Sequence, residues 1–142
     1  PYAVKLFPFL SLLGIPCQAP PWGYVAGADL VTGEIVWKHK NGTVIDSSPL
    51  PLPFKMGVPN LGGPLMTAGG VAFLSGTIDN YVRGYDVSTG KQLWEQRLPA
   101  GGQATPMSFM GKNGKQYLVV VAGGHGSLDT TAGDDVIAYT LP

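Results

Sequence analysis

The sequence predicts an all-β protein that forms part of a β-propeller, and three observations support this fold class. First, the pattern Asp-x-x-Thr-Gly-x-x-x-Trp occurs twice, beginning at Asp29 and at Asp86, which are 57 residues apart. Second, short apolar runs alternate with turn-forming residues along the chain. Third, no stretch shows sustained helical periodicity with capping residues. Four strands per unit, repeated at about 50–60 residues, are typical of propeller blades.

The composition indicates a folded chain that is rich in turns. It has 21 glycines and 13 prolines among 142 residues, but 44% of the residues are hydrophobic, which is too many for a disordered segment. Nine basic and nine acidic residues give a formal net charge of zero, so no nucleic-acid partner is expected. Only 13% of residues are charged. This indicates a surface covered by further chain, a partner or a membrane-proximal surface, or else an uncharged secreted protein.

The chain contains no sequence signal for a disulfide or a membrane span. Cys17 is the single cysteine, so an internal disulfide is not possible. No apolar run approaches the ~20 residues that cross a bilayer, and no signal peptide is visible. If the parent protein is anchored in a membrane, the anchor is expected outside this chain.

Each copy of the repeat predicts a β-hairpin. The Asp side chain can accept hydrogen bonds from backbone N–H groups in the turn, and the glycine of Thr-Gly can adopt a positive φ without steric cost. A short strand ending in Trp37 or Trp94 is expected to follow. A truncated third copy at 136–141 parallels 82–87. The last sheet is therefore expected to lack its outer strand, which an N-terminal strand would supply in a closed propeller.

The order of the predicted strands divides residues 1–142 into five parts. They are an extended or loop segment (1–21), part of a blade (22–40), a long loop (41–63), a full blade (64–98) and an incomplete last blade (104–142). The strands of the last two parts are expected at 64–68, 71–75, 81–86, 91–98, 105–110, 116–122 and 135–141. The loop 41–63 is expected to cross the top of the structure. Long loops in compact domains are usually functional, so a functional role is expected for this one. A plain connector between blades is the alternative.

At its two Trp-containing segments the chain resembles the dehydrogenases that depend on pyrroloquinoline quinone (PQQ), whose eight-bladed propellers carry a recurring motif of this kind. Four stretches are similar to the membrane-bound glucose dehydrogenase branch. They are IPCQAPPWGY (15–24), the run 46–86 that ends in NYVRGYD, LPAGGQATPMSF (98–109) and VVVAGGHGS (119–127). The resemblance implies a C-terminal part of such a propeller, with about two to three four-stranded antiparallel blades.

The resemblance also implies an activity. The enzyme would oxidise an aldose, D-glucose to glucono-1,5-lactone, with hydride passing to PQQ and electrons to ubiquinone. Ca²⁺ or Mg²⁺ would bind the cofactor. The metal ligands and the catalytic base are expected outside this chain, so the fragment alone should be inactive. The implied location is the periplasmic face of the bacterial inner membrane. The expected partners are the sugar, ubiquinone, the rest of the propeller and, through an N-terminal anchor outside this chain, the membrane.

Two other hypotheses stay open. One is a quinate, shikimate or polyol dehydrogenase of the same membrane-bound branch, because most substrate contacts would come from other blades. The other is a propeller scaffold that binds protein partners without catalysis. A glycine-rich inner loop with a histidine favours the enzyme, because a scaffold has no need of it.

Five residues are expected at the cofactor pocket because of the resemblance: His125, Gly124, Asp79, Leu61 and Gly62. His125 and Leu61 stand where alcohol-oxidising relatives carry Trp, which favours a sugar or polyol substrate. Gly124 would let the backbone approach the ligand closely. Asp79 would orient a cationic side chain from an upstream blade. The alternatives are a surface-loop histidine, an aspartate of an ordinary turn and a leucine of the core.

The remaining aromatic and imidazole side chains are interpreted as structural. Trp37 and Trp94 are predicted to pack between adjacent blades, and Trp22 is also expected to pack. His39 lies between two lysines, which indicates an exposed strand end, and no second metal ligand is near it. The sequence contains no Walker loop, no dinucleotide-binding Gly-x-Gly-x-x-Gly, no zinc-spaced Cys/His cluster and no Gly-x-Ser-x-Gly.

Overall fold

The described part of the chain is built almost entirely of β-strands. The computed structural model describes residues 2–5, 7–49 and 52–141. These residues form nine strands and one short 3₁₀ turn, Gly126–Leu128. The strands make three antiparallel sheets of two, four and three strands, each in chain order, which confirms the all-β prediction. Within these residues no helix has the length and apolar character that crossing a membrane requires.

The first sheet is the hairpin predicted at Asp29. Strand β1 (Tyr24–Ala28) pairs with β2 (Ile35–Lys40). Between them, Asp29 Oδ1 accepts hydrogen bonds from the backbone N–H groups of Val31 (2.7 Å) and Thr32 (3.1 Å). The hairpin therefore closes on hydrogen bonds within its own turn.

The second sheet contains the second copy of the repeat. Its four strands are β3 (Leu65–Met66), β4 (Val71–Leu74), β5 (Tyr81–Asp86) and β6 (Gln92–Arg97). Asp86 Oδ1 accepts hydrogen bonds from the N–H groups of Ser88 and Thr89, both at 2.9 Å, as Asp29 does in the first sheet. Two sequence copies therefore give the same local geometry.

The third sheet has three strands, in agreement with the truncated third copy. Strand β7 (Met107–Met110) pairs with β8 (Gln116–Ala122), and β8 pairs with β9 (Asp135–Thr140). In the described residues no strand pairs with the outer side of β9. The assignment of the five segments to blades of a closed ring stays a prediction.

Several of the predicted strand boundaries were wrong by one to three residues. The strand expected at 64–68 is limited to two residues, because Thr67 leaves the ladder and closes the turn to β4 through its backbone N–H (2.9 Å) and its hydroxyl (3.0 Å), both bonded to the Val71 carbonyl. The strand expected to end at Trp37 continues for three further residues, to Lys40, and the strand that contains Trp94 ends at Arg97, close to the expected end at 98. No turn residue follows either Trp, so the backbone ladder continues past it.

The main hydrophobic core joins the second and third sheets. It consists of Val82, Leu98, Ala100, Leu118, Val120 and Ala122. Trp94 packs against it, edge-to-face with Phe73 (ring centroids 6.2 Å apart) and Tyr139 (5.2 Å). The Trp37 indole N–H donates to the Val87 carbonyl at 2.8 Å and so links the first sheet to the second. Both tryptophans therefore pack between neighbouring sheets, as the repeat predicts.

The loop 41–63 lies against the second sheet. Its described residues form no strand apart from the single bridge between Asn60 and Thr77. Val44 and Val58 are buried, and the Val58 N–H donates to the Asn41 carbonyl at 2.8 Å. The two ends of the loop lie beside the connection between β4 and β5, because Thr43 bonds to Asp79 and Leu61 bonds to Gly76. The segment before β1 contains, in its described residues, one isolated bridge, Leu10 to Pro16.

Candidate functional site

Two inter-strand connections lie at the same end of the second and third sheets. One is the β4–β5 connection (75–80), which contains Asp79, and the other is the β8–β9 connection (123–134), which contains His125. The segment after β6 contacts both. Gly124 N–H donates to the Gly101 carbonyl at 2.8 Å, and a Cβ on Gly102 would lie 2.9 Å from the Ser75 carbonyl oxygen. The two predicted site loops are therefore neighbours at one end of the sheets.

Asp79 is fully buried and fully hydrogen-bonded. Arg83 donates from Nη1 to Oδ1 (3.0 Å) and from Nη2 to Oδ2 (2.5 Å). Thr43 donates to Oδ2 from its backbone N–H (2.7 Å) and from its hydroxyl (3.0 Å). The exposed fraction of Asp79 is 0%. Asp79 thus ties the β4–β5 connection both to its own strand and to the loop 41–63.

Arg83 is the cation that pairs with Asp79, and the sequence analysis did not identify it. Arg83 is 2% exposed, and it also donates to Thr77 Oγ1 (3.0 Å) and to Glu95 Oε2 (3.3 Å). The expectation was a cation from an upstream blade, whereas Arg83 belongs to β5, four residues after Asp79. The available signal was an arginine in the middle of a strand whose other charged residue, Asp86, lies at its end. A role for Asp79 at the cofactor stays a prediction.

The charges of this pair support each other. Burial by itself would raise the pKa of the Asp79 carboxyl, but the hydrogen bonds and positive charge of Arg83 outweigh burial and hold the pKa below its ordinary value. Burial also opposes the charged form of Arg83, yet the bonds and negative charge of Asp79 raise its pKa. Beside them, burial raises the pKa of Tyr85 to about 12. The pair is therefore ionised at neutral pH.

Leu61 and Gly62 form a partly exposed corner beside the β4–β5 connection. Leu61 N–H donates to the Gly76 carbonyl at 3.1 Å, and the Leu61 side chain is 43% exposed in this chain. Its role at the cofactor stays a prediction. Gly62 has a φ of +110°, and a Cβ there would lie 2.5 Å from the Gln103 carbonyl oxygen. Only glycine fits this position without displacing the backbone at Gln103.

Gly124 and His125 begin the β8–β9 connection. Gly124 has a φ of +75°, and a Cβ there would press on the Thr131 carbonyl. His125 is exposed, and its backbone N–H donates to Thr130 Oγ1 at 2.9 Å. In the part of the chain that the structure describes, no hydrogen bond holds its imidazole. The ring is therefore available to a ligand.

Gln103 connects the two glycine-rich corners, and the sequence analysis missed its role. Its Oε1 accepts a hydrogen bond from Thr130 Oγ1 at 3.1 Å, and its backbone lies against Gly62. Gln103 is 8% exposed, and its Nε2 has no hydrogen-bond partner among the described residues. A buried donor without a partner is costly, so it is a natural contact for an acceptor on a bound molecule. No sequence pattern could have marked this glutamine, because its burial depends on three separate segments.

The site contains no evident metal centre of its own. Within residues 2–5, 7–49 and 52–141, no group of three or more His, Cys, Asp or Glu side chains could hold a metal ion. Asp79, the buried acidic residue of the β4–β5 connection, already accepts four hydrogen bonds. What this corner offers is an exposed imidazole, close backbone approach and an amide donor.

The chain is similar to a family of redox enzymes along most of its length. Residues 1–118 match the family model described as PQQ: Glucose/ethanol/alcohol dehydrogenase, beta-propeller domain. Quinoprotein glucose dehydrogenase A of Acinetobacter calcoaceticus is 58% identical over 145 residues, which are 100% of this chain and 18% of that protein. The protein named probable quinate dehydrogenase (quinone) of Xanthomonas campestris pv. juglandis is 50% identical over 147 residues, again 100% of this chain and 18% of that protein.

A solved structure shows the same similarity. The quinohemoprotein alcohol dehydrogenase from Comamonas testosteroni superposes with a TM-score of 0.58 at 26% identity, over 88% of this chain and 17% of that one. The chain spans about a fifth of the length of the curated relatives it matches.

Proposed function

This chain belongs to the glucose/ethanol/alcohol dehydrogenase β-propeller family of PQQ proteins and is an open part of such a propeller, and from that premise we propose that it forms one wall of the cofactor site in a PQQ-dependent sugar dehydrogenase. The parent protein would oxidise an aldose, D-glucose to glucono-1,5-lactone. This chain would be its C-terminal part.

The surface around Gln103 carries the proposal. This glycine-rich surface consists of Leu61, Gly62, Gly124 and His125, with Gln103 between the two corners. A flat quinone that bears carboxylates needs hydrogen-bond donors at its edge and close backbone approach at its faces. The orphaned Nε2 of Gln103 and the exposed imidazole of His125 fit the first need, and the two glycines fit the second.

Each described group has a defined task in this proposal. Gln103 Nε2 and His125 orient the cofactor by hydrogen bonding, and Gly62 and Gly124 give it room. The Asp79–Arg83 pair holds the β4–β5 connection beside them as a positioning unit. When bound, PQQ supplies the hydride acceptor. The catalytic base and the ligands for Ca²⁺ or Mg²⁺ belong to other parts of the parent protein.

Glucose is the substrate that we propose first, because a relative named quinoprotein glucose dehydrogenase shares 58% of this chain's aligned residues. Quinate is the second candidate, since a relative with that substrate in its name is 50% identical over the same segment. That relative's name also contains the word quinone, which supports ubiquinone as the electron acceptor. We further propose the periplasmic face of the inner membrane as the location.

The test is reconstitution of the full-length protein that carries this segment. With PQQ and Ca²⁺ added, we expect glucose-dependent reduction of an artificial electron acceptor and quenching of tryptophan fluorescence on binding PQQ. Activity with quinate or glycerol instead of glucose would support the alternative substrates. A protein that shows neither quenching nor turnover would support the scaffold hypothesis and contradict the proposal.

A pair of variants tests the glycine-rich surface. His125→Ala should raise the PQQ concentration for half-maximal activation about tenfold, the effect of losing one hydrogen bond to a charged group. Lys112→Ala is the control, because it lies in the β7–β8 turn at the opposite end of β8 and should change nothing. Equal PQQ concentrations for half-maximal activation in the two variants would show that His125 does not contact the cofactor.

A further inference from the structure

A cavity that is separate from the glycine-rich surface lies between the first and second sheets. It has a volume of about 270 Å³, and its lining includes His39 and Lys40 from β2 and Gln92 from β6. Gly90 and Lys91, which also line it, lie in the turn after β5, whereas Asp79 lies before β5. The cavity is therefore near the opposite end of this hairpin from the candidate cofactor site.

The lining of this cavity is strongly basic. Lys40, Lys55, Lys91 and His39 line it, and no Asp or Glu does. The whole chain has equal numbers of basic and acidic residues. Three of its nine Lys and Arg residues thus converge on one small cavity, and a general excess of positive charge does not explain this concentration.

The lysines of this basic cavity have no acidic partners. The three ion pairs among the described residues all use Arg83 or Arg97. The acidic residues nearest to Lys91 in sequence are Glu95 and Asp86. Glu95 Oε2 pairs with Arg83 at 3.3 Å, and Asp86 Oδ1 is occupied by hydrogen bonds from Ser88 and Thr89 inside the turn. Like charges brought together without a counter-charge repel each other, so this arrangement favours an added anion.

Neighbouring groups hold two of the basic side chains in place. Lys55 Nζ donates to Gln92 Oε1 at 2.9 Å. The His39 ring stacks on Trp37, with ring centroids 5.8 Å apart, and its Nε2 lies 3.4 Å from the Thr89 carbonyl oxygen. A Cβ on Gly90 would lie 2.7 Å from the His39 ring, so this glycine is what lets the imidazole pack there. Lys55 and His39 are therefore positioned before any ligand arrives, which lowers the entropy cost of binding.

We propose that the basic cavity binds a phosphate group. Ligand pockets for drug-sized molecules measure about 300–1,000 Å³. At about 270 Å³ this cavity lies just below that range, and its basic lining favours a compact anion. Ammonium groups are effective donors to phosphate oxygens, and a doubly charged anion gains from several of them at once. The phosphate can be free in solution or can belong to a lipid headgroup.

The experiment titrates the full-length protein with inorganic phosphate by calorimetry at constant ionic strength. Lys55→Gln and Lys91→Gln should each raise the Kd for phosphate about fivefold, and the double variant should raise it further. Lys112→Gln is the matched control, because it removes the same charge from an exposed turn outside the cavity. Circular dichroism of each variant shows that the fold is kept.

The outcomes separate the possible sources of phosphate and can overturn the proposal. A lipid source is indicated if the protein is retained on vesicles with anionic phosphate headgroups and not on zwitterionic vesicles. The Lys55→Gln and Lys91→Gln variants should then lose this retention. Binding of inorganic phosphate without vesicle retention indicates a free anion. No measurable phosphate binding by either route, or an equal loss in Lys112→Gln, overturns the proposal.

Discussion

Asp79 and Arg83 form the most buried charged pair in the described part of the chain, with side chains 0% and 2% exposed. A buried carboxylate is stable only when it is paired and hydrogen-bonded, and Asp79 accepts four hydrogen bonds. Through Thr43 and Thr77 the pair joins the loop 41–63 to the β4–β5 connection. These residues decide the shape of that connection and hence the surroundings of the candidate site.

Removal of Arg83 should be severe. In the Arg83→Ala variant of the full-length protein, Asp79 stays buried without its cation, and breaking a buried pair in this way costs about 3–5 kcal/mol. Arg97→Ala is the control, since its ion pair with Asp46 is partly exposed and should contribute about 0–1 kcal/mol. The comparison is made by the midpoints of urea unfolding. Similar midpoints for the two variants would show that the Asp79–Arg83 pair contributes no more to stability than an exposed ion pair.

The contribution of Asp79 to stability should depend on pH. Its carboxyl has a lower pKa in the folded chain than in the unfolded chain, so ionisation favours folding. This stabilisation is fully present above the unfolded pKa, about pH 4, and is lost as the pH falls through the folded pKa. The urea midpoints of the wild type and Asp79→Asn should therefore differ at pH 7 and converge in more acidic solution. A difference that stays constant down to pH 3 would contradict this.

The Asp-x-x-Thr-Gly hairpins are the repeated building element. Their aspartates have lowered pKa values: hydrogen bonds from the Thr32 and Val31 N–H groups lower that of Asp29, and those from Ser88 and Thr89 lower that of Asp86. The second hairpin has a further function, because Trp37 of the first sheet packs on Gly90 and donates to the Val87 carbonyl. The turn of one sheet is thus the docking surface for the tryptophan of the sheet before it.

Gly90→Ala tests this docking contact. The Cβ of an alanine at position 90 would meet the Trp37 ring. The alanine backbone would also have to adopt a positive φ of +70°. Gly114→Ala is the matched control, because Gly114 has a φ of +74° with no atom within 4 Å of an added Cβ. The backbone strain of about 1–2 kcal/mol is common to both, and overpacking should add about 1–3 kcal/mol at position 90 only. Equal thermal unfolding temperatures would argue against the docking contact.

The chain as a whole exposes a large apolar surface. Its N-terminal segment alone presents several exposed large hydrophobic side chains: Tyr2, Val4, Phe7, Phe9, Leu12 and Leu13. A groove of about 650 Å³ between the second and third sheets is lined mainly by apolar side chains. Exposed apolar surface on this scale is typical of an interaction surface, and we propose the rest of the propeller as its partner.

The isolated segment 1–142 should show no glucose oxidation when PQQ and Ca²⁺ are added. The physical reason is that the catalytic base and the metal ligands are expected in other blades. The measurement is glucose-dependent reduction of an artificial electron acceptor, with the full-length protein as the positive control. Turnover by the purified segment would show that the catalytic groups lie in this chain.

The isolated segment should also associate with itself. Unpaired edge strands are templates for pairing with a second copy. Exposed apolar side chains favour the same association. Light scattering after size-exclusion chromatography should therefore give a mass above that of the 14.9 kDa chain. A monodisperse monomer would contradict this expectation.

The hairpins, their turns and most strand positions could be predicted from the sequence, because they depend on neighbouring residues: Asp29 and Asp86 bond to backbone groups two and three residues away. Local signals predicted the strands on either side of Asp79 and His125, and the family resemblance placed both residues at one pocket. Arg83 was missed although its partners Asp79 and Thr77 are four and six residues away. Local signals could not identify Gln103 as central, nor the basic cavity, because burial and partners there arise from segments far apart in the chain. Packing between sheets, which no local pattern encodes, brings those segments together.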